Sequence, residues 1–139
     1  MHCQLVDNQT NLVSIVSVLR QLRPQFSADE LTEKINKLHA QGYQLAYAGI
    51  GDDVYCVAGF VIGEKLAWGK YLYVDDLVTD EKFRSTGAGT ALLSWLKNYA
   101  RDNQCEQLHL DSGVQRFAAH RFYLREGFNI ASHHFSHML

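Results

Sequence analysis

A loop of six residues, Arg84-Ser85-Thr86-Gly87-Ala88-Gly89, separates a strand-like run from a helical pattern, and it constrains the chain more than any other segment. Residues 70–79 read as strand. After the loop, Leu92, Leu93, Leu96 and Tyr99 recur at helical spacing, which predicts a helix over about 87–103. The first N–H groups of a helix have no internal partner, and the helix dipole favours negative charge there. Glycines let an anion approach the backbone closely, and Arg84 adds a fixed positive charge. The segment is therefore expected to cradle a pyrophosphate, with Arg84, Ser85, Thr86, Gly87, Ala88, Gly89 and Thr90 as its residues. It is neither of two familiar phosphate loops: a G-x-G-x-x-G at the start of a βαβ unit and a G-K-[ST] are both absent.

The rest of the chain supplies a frame for this loop. Leu12, Ile15, Val16 and Leu19 mark a helix that ends before Pro24, the only proline. Ser27-Ala28-Asp29-Glu30 reads as a capping box for a second helix, with Leu31, Ile35 and Leu38 as its buried stripe and Gly42 as its stop. Strands are expected over 43–48, 54–62, 70–79 and 107–112, with turns at 49–53 and 63–65. A helix over 117–126 stops at Gly127, and 128–138 is expected to form a last strand. With a strand at the start, the order is β-α-α-β-β-β-α-β-α-β. The expected class is α/β, mixed α+β: a central mixed sheet of about six strands with helices on both faces. A length of 139 residues fits one domain over 1–139.

Composition narrows the function. A net charge of -2 excludes broad electrostatic capture of nucleic acid or of an anionic membrane. No apolar run is long enough to span a bilayer, and residues 1–7 lack the features of a signal peptide. Cys3, Cys56 and Cys105 are odd in number and scattered, which suits a reducing cytoplasm. His133 and His137 share a strand face, but no acid or cysteine lies close in sequence, so no metal is expected. Tyr43, Tyr47, Tyr55 and Tyr71 are expected mainly as sheet formers, with one or two lining an acceptor site.

The strand Tyr73-Val74-Asp75-Asp76-Leu77-Val78-Thr79 followed by R-x-x-G-x-G resembles motif A of the GNAT superfamily of N-acetyltransferases. Ala119-His120-Arg121-Phe122-Tyr123-Leu124-Arg125-Glu126-Gly127-Phe128 resembles its motif B, A-x-x-F-Y-x-x-x-G-F. The resemblance covers about 71–128, and the element order extends it over nearly the whole chain. It implies a GNAT-like fold and acetyl-CoA as co-substrate, with Leu77, Val78 and Thr79 lying against the cofactor arm. It also implies that Tyr123 points at the sulfur of coenzyme A. Many members carry an asparagine seven residues before that tyrosine. Here the position is Arg116, which leaves that cofactor contact in doubt.

Acetyl transfer to an amine needs a neutral nucleophile, a stabilised oxyanion and a proton for the leaving thiolate. Tyr123 suits the last task, and backbone N–H groups near 77–79 suit the second. Asp75 is expected to recognise the acceptor and to act in catalysis, with Asp76 as a second substrate-binding residue. This stretch also resembles polyamine acetyltransferases, which implies a small cationic amine. On strict alternation Asp75 shares a face with Tyr73 and Leu77, and Asp76 takes the other. Two rival functions stand beside this one: a non-catalytic module that binds or senses acyl-CoA, and a protein or peptide N-acetyltransferase. A homodimer is compatible with the sequence.

Overall fold

Ten short elements follow one another with brief connections, and the computed structural model describes all of Met1–Leu139. They are β1 His2–Leu5, α1 Leu12–Leu22, α2 Ala28–His39, β2 Gln44–Ile50, β3 Asp53–Lys65, β4 Gly69–Thr79, a 3₁₀ turn Glu81–Phe83, α3 Ala88–Asp102, β5 Gln107–Leu110 and α4 Phe117–Arg125. The chain divides into two compact units, Met1–His109 and Leu110–Leu139.

Local chemistry accounts for the ends of the first unit's helices. The Asn11 side chain accepts the Val13 N–H to start α1, and the helix stops at Arg23, before Pro24. Ser27 and Glu30 form the expected capping box on α2. Gly42, at φ +103°, closes that helix with its N–H on the His39 carbonyl.

The sheet runs β1-β2-β3-β4-β5 and is mixed. The β1–β2, β2–β3 and β3–β4 pairs are antiparallel, and β5 is reached through the α3 crossover. One face packs on α1 and α2, where Ile15, Val16, Leu19, Leu31, Ile35, Leu45 and Val57 form a buried cluster. Along β3, Phe60 alternates onto the opposite face and meets Tyr99 of α3 edge-to-face. Leu92, Leu93 and Leu96 of α3 are fully buried. Burying each such side chain contributes about 1.5–3 kcal/mol.

Two expectations need correction. The turn placed at 63–65 lies instead at 66–68, because β3 continues to Lys65. Gly63 is not a turn residue: the Tyr71 ring lies over it, and a Cβ there would meet the Tyr71 hydroxyl at 2.5 Å. Gly69 takes the left-handed conformation that closes the hairpin, at φ +66°. The last strand, expected over 128–138, is not formed, so the sheet has five strands. Alternation supplies only a tendency, whereas a strand needs a ladder partner, and Ile130, Phe135 and Met138 are exposed.

Candidate active site

The β3–β4 register slips by one residue where the two acids stand. Gly59 pairs with Asp76 and Phe60 with Val74, so Asp75 is left as the extra residue of a β-bulge. The bulge reverses the alternation after it. Residues directly opposite each other share a face, so Tyr71, Tyr73, Asp76 and Val78 line the same side as Gly63, Val61, Gly59 and Val57. That is the face of α1 and α2. Asp76 therefore sits on the side of Tyr73, contrary to strict alternation, because an inserted residue shifts the phase of everything after it.

Asp76 is held by two residues through three contacts. Arg23, at the end of α1, donates from Nε at 2.9 Å to Oδ1 and places Nη2 2.8 Å from the same oxygen. The Tyr43 hydroxyl donates to Oδ2 at 2.7 Å. The Tyr43 ring lies against Gly59, where any Cβ would collide with it. Burial first, and then the Asp76 charge, hold the Tyr43 hydroxyl protonated well above the usual tyrosine range. It is a fixed donor and not a titrating group.

Asp75 differs. Its residue is exposed, while its carbonyl accepts from Arg23 Nη2 at 3.3 Å. Desolvation and the neighbouring Asp76 push its carboxyl above the usual carboxylate range, and Arg23 opposes them. Beyond the bulge, Thr79 turns its hydroxyl to Cys56 Sγ at 3.4 Å, and Val78 joins the core under α1 and α2. β5 is four residues long and starts alongside Lys70, where the Glu106 N–H meets the Lys70 carbonyl at 2.7 Å. The later part of β4, to Thr79, runs past the reach of so short a strand.

The loop after β4 is fixed at its start. The Asp80 N–H bonds to the Tyr55 carbonyl at 2.8 Å, and the Glu81 N–H bonds to Gln21 Oε1 at 3.0 Å. The Phe83 ring stacks on Tyr55 at 3.7 Å and 3°. The Thr86 hydroxyl donates to the Phe83 carbonyl at 2.7 Å. Ser85 and Gly87 then take positive φ, +62° and +86°, before α3 begins at Ala88. Gly87 is the N-cap and carries no side-chain cap, and a Cβ built on it meets nothing within 4 Å. Arg84, Ser85, Thr86, Gly87 and Thr90 are exposed, Gly89 is half-buried and Ala88 is buried. The structure thus places these residues in an anchored loop that opens onto an uncapped helix end.

An aromatic group not expected from the sequence stands where the β3–β4 turn enters β4. Trp68 stacks on His109 of β5 at 3.5 Å and 9°, stands edge-to-face with Tyr71 and lies nearly parallel to Tyr73. The Lys65 ammonium is 3.9 Å from the Trp68 ring centre and 5.3 Å from that of Tyr71. Burial, and then Lys65, push the His109 pKa below the usual histidine range. These residues come from a hairpin and a neighbouring strand, so only the pairing register reveals the group.

In the second unit, α4 carries Phe122 and Tyr123, whose rings stand 5.4 Å apart. Tyr123 is half-buried and makes an edge contact with Phe128, while the Phe128 N–H bonds to the Tyr123 carbonyl at 3.0 Å. Gly127, at φ +91°, makes that return possible. Arg116 is the N-cap of α4, and the Arg116 N–H bonds to the Gly113 carbonyl. Ser112 Oγ is buried without a hydrogen-bond partner. No group of three or more His, Cys, Asp or Glu is placed to hold a metal ion. No helix is long and apolar enough to cross a membrane.

The family model of the acetyltransferase (GNAT) family matches residues 14–128. An uncharacterized N-acetyltransferase of Bacillus subtilis (strain 168), YhdJ, is 26% identical over 137 residues, covering 97% of this chain and 96% of its own. The aminoalkylphosphonate N-acetyltransferase of Salmonella typhimurium is 35% identical over 66 residues, covering 48% of this chain and 43% of its own. Among solved structures, the aminoglycoside N-acetyltransferase AAC(6')-Iy in complex with CoA aligns with a TM-score of 0.83 at 15% identity, over 99% of this chain and 95% of that one. The family match takes in part of each unit, including the loop after β4 and the helix of Tyr123. The chain belongs to the GNAT acetyltransferase family and is an acetyltransferase.

Proposed function

We propose that residues 1–139 act as one N-acetyltransferase domain, which moves the acetyl group of acetyl-CoA directly onto the amine of a small, cationic acceptor. One observation carries this reading. A single strand places an exposed acid at a bulge and then leads, through a fixed 3₁₀ turn, into an uncapped helix end. The loop fits a pyrophosphate. Arg84 supplies charge, the space over Gly87 is open, and the first N–H groups of α3 meet no side-chain cap. Leu77, Val78 and Thr79 are the backbone against which the pantetheine arm would lie.

Acetyl-CoA supplies an activated acetyl thioester. The protein's own groups do the rest. Backbone N–H groups of 77–79 stabilise the oxyanion in a fixed geometry, with no reorganisation during reaction. Asp75 receives the acceptor's ammonium, and a water beside it takes the proton as the amine, which titrates near ~10.4, becomes neutral. Asp76, neutralised by Arg23, forms the wall behind it. Tyr123, the residue matching the family's F-Y, shares its proton with the leaving thiolate. Holding both reactants together supplies most of the acceleration. The three thiols, Cys3, Cys56 and Cys105, are all free, which suits work in the cytoplasm.

The test is a panel of amines, aminoglycosides and peptides with acetyl-CoA, read by thiol release. Cationic small amines should be acetylated in preference to neutral amines and peptides. Tyr123→Phe should lower turnover about 10²–10⁴-fold with acetyl-CoA affinity nearly unchanged. Full turnover in that variant, with chemistry limiting the rate, removes Tyr123 from the mechanism. Cofactor binding without release of thiol to any amine leaves the acyl-CoA-sensing alternative.

A further inference from the structure

The aromatic group on the β3–β4 hairpin has a geometry that sheet packing does not require. A ring stacked at 3.5 Å and an ammonium 3.9 Å from the same centroid cannot share one face of an indole. Trp68 is therefore sandwiched, with His109 behind it and Lys65 in front. Tyr71 stands edge-on to Trp68, at 87°, and adds the second wall, so the Lys65 ammonium lies in a corner of two rings. The hydroxyl end of the Tyr71 ring keeps this position because Gly63 carries no Cβ to meet it. Aromatic faces carry negative quadrupole potential, and a corner of two of them selects an alkylammonium. Lys65 is exposed and sits at the end of β3, so its flexible stem can leave the corner.

This corner and the acids share one face of the sheet. Gly63–Tyr71, Val61–Tyr73 and Gly59–Asp76 are successive pairs along it. At about 3.3 Å per residue, Tyr71 lies about 13 Å along the strand from Asp75. The surface between them is Tyr73 and Val61, both half-buried.

We propose that the Trp68–Tyr71 corner is a second ammonium site, held closed by Lys65, which binds the remote cationic end of an acceptor whose reacting amine lies at Asp75. The acceptor is then a flexible dication or polycation with amines on the order of 13 Å apart. Lys65 competes for the corner as an internal ammonium until such an acceptor displaces it. This rests on the amine-acceptor reading above, and the experiment separates the two failures.

Two measurements are made with α,ω-diamines of increasing length, each paired with the monoamine of equal length. The first is thiol release with acetyl-CoA, giving KM and kcat. The second is fluorescence titration without acetyl-CoA in a Trp95→Phe background, where Trp68 is the one remaining tryptophan. Long diamines should show a lower KM than their monoamines, with similar kcat. Lys65→Ala should lower the diamine KM about three- to tenfold and leave the monoamines unchanged, a gain that misfolding cannot mimic. Trp68→Leu should raise the diamine KM by a similar factor, with Trp68→Phe restoring much of it. A diamine-to-monoamine ratio that neither Lys65→Ala nor Trp68→Leu changes overturns the proposal. If no amine releases thiol, the amine-acceptor reading is overturned, and the fluorescence titration still decides the corner: diamine-selective binding enhanced by Lys65→Ala supports it, and its absence refutes it.

Discussion

Asp75 and Asp76 are adjacent and chemically identical, yet their surroundings differ sharply. Asp76 is bound on both oxygens by Arg23 and Tyr43. An amide in its place keeps one acceptor oxygen and turns an N–H donor on the other partner, so either the Tyr43 hydroxyl or the Arg23 guanidinium loses its acceptor. Asp76→Asn should therefore lower stability by about 1–3 kcal/mol, seen as a lower melting temperature. Asp75 has no such partners on its carboxyl, and its pKa is raised by desolvation and by Asp76. A carboxyl whose folded pKa exceeds its unfolded value favours folding most when protonated, and that advantage is lost as pH rises through the folded pKa. At neutral pH the ionised Asp75 thus opposes folding. Asp75→Asn should melt no lower than the parent there and slightly higher, with the two curves converging in acid below the ordinary carboxylate range. In turnover the same variant should raise KM for a cationic acceptor and lower kcat, leaving acetyl-CoA affinity unchanged. A melt in which Asp75→Asn loses stability at neutral pH contradicts this division between a functional and a structural acid.

The bulge is what joins these residues into elements that work together. Beside it Tyr43 lies over Gly59, and further along the hairpin Tyr71 lies over Gly63. Gly59→Ala should push Tyr43 away from Asp76 and cost about 1–3 kcal/mol, since the ring has the sheet on one side and the core on the other. A Gly59→Ala protein that melts with the parent shows that the ring relaxes freely. None of this was legible in the residues taken in order. The capping box at Ser27, the stop at Gly42 and the loop at 84–89 are local signals, written within a few residues, and the chain folds there as they direct. A bulge is a relation between two strands, and it carries no signature of its own at Asp75. The same holds for the Lys65, Trp68 and His109 group, which needs the β4–β5 pairing before it exists. The last strand fails for the converse reason: its alternation is visible at 128–138, but alternation does not supply a partner. Tyr123 lay within a motif and Arg23 did not, so one was singled out from sequence and the other only by its contact with Asp76.

At the scale of the whole molecule, the question is whether Met1–His109 and Leu110–Leu139 unfold together. No residue of the second unit is buried, and Val114, Phe117, Leu124, Ile130, Phe135 and Met138 are among its exposed large apolar side chains. Thirty residues of that kind do not make a core that stands alone, because domains below about 40 residues generally need disulfides, metals or association. The sequence match to the family nevertheless takes in part of each unit. On the one-domain reading proposed above, acetyl-CoA binding is measured in both units. Acetyl-CoA that binds the folded protein and not the unfolded chain adds about 2.7 kcal/mol at a hundredfold excess over its Kd. For a chain of this length that shifts Tm by on the order of 10 °C. The shift should appear in amide exchange as well, with protection rising both in α3 around Ala88 and in α4 around Tyr123. Gly87→Val should abolish both effects. A β-branched residue at φ +86° is strained, and its side chain fills the open space where the phosphate has to come. Protection confined to α3 would mean that the loop binds the cofactor without engaging Tyr123, and the proton donor would then have to be sought elsewhere. No shift at millimolar acetyl-CoA would remove the cradle itself.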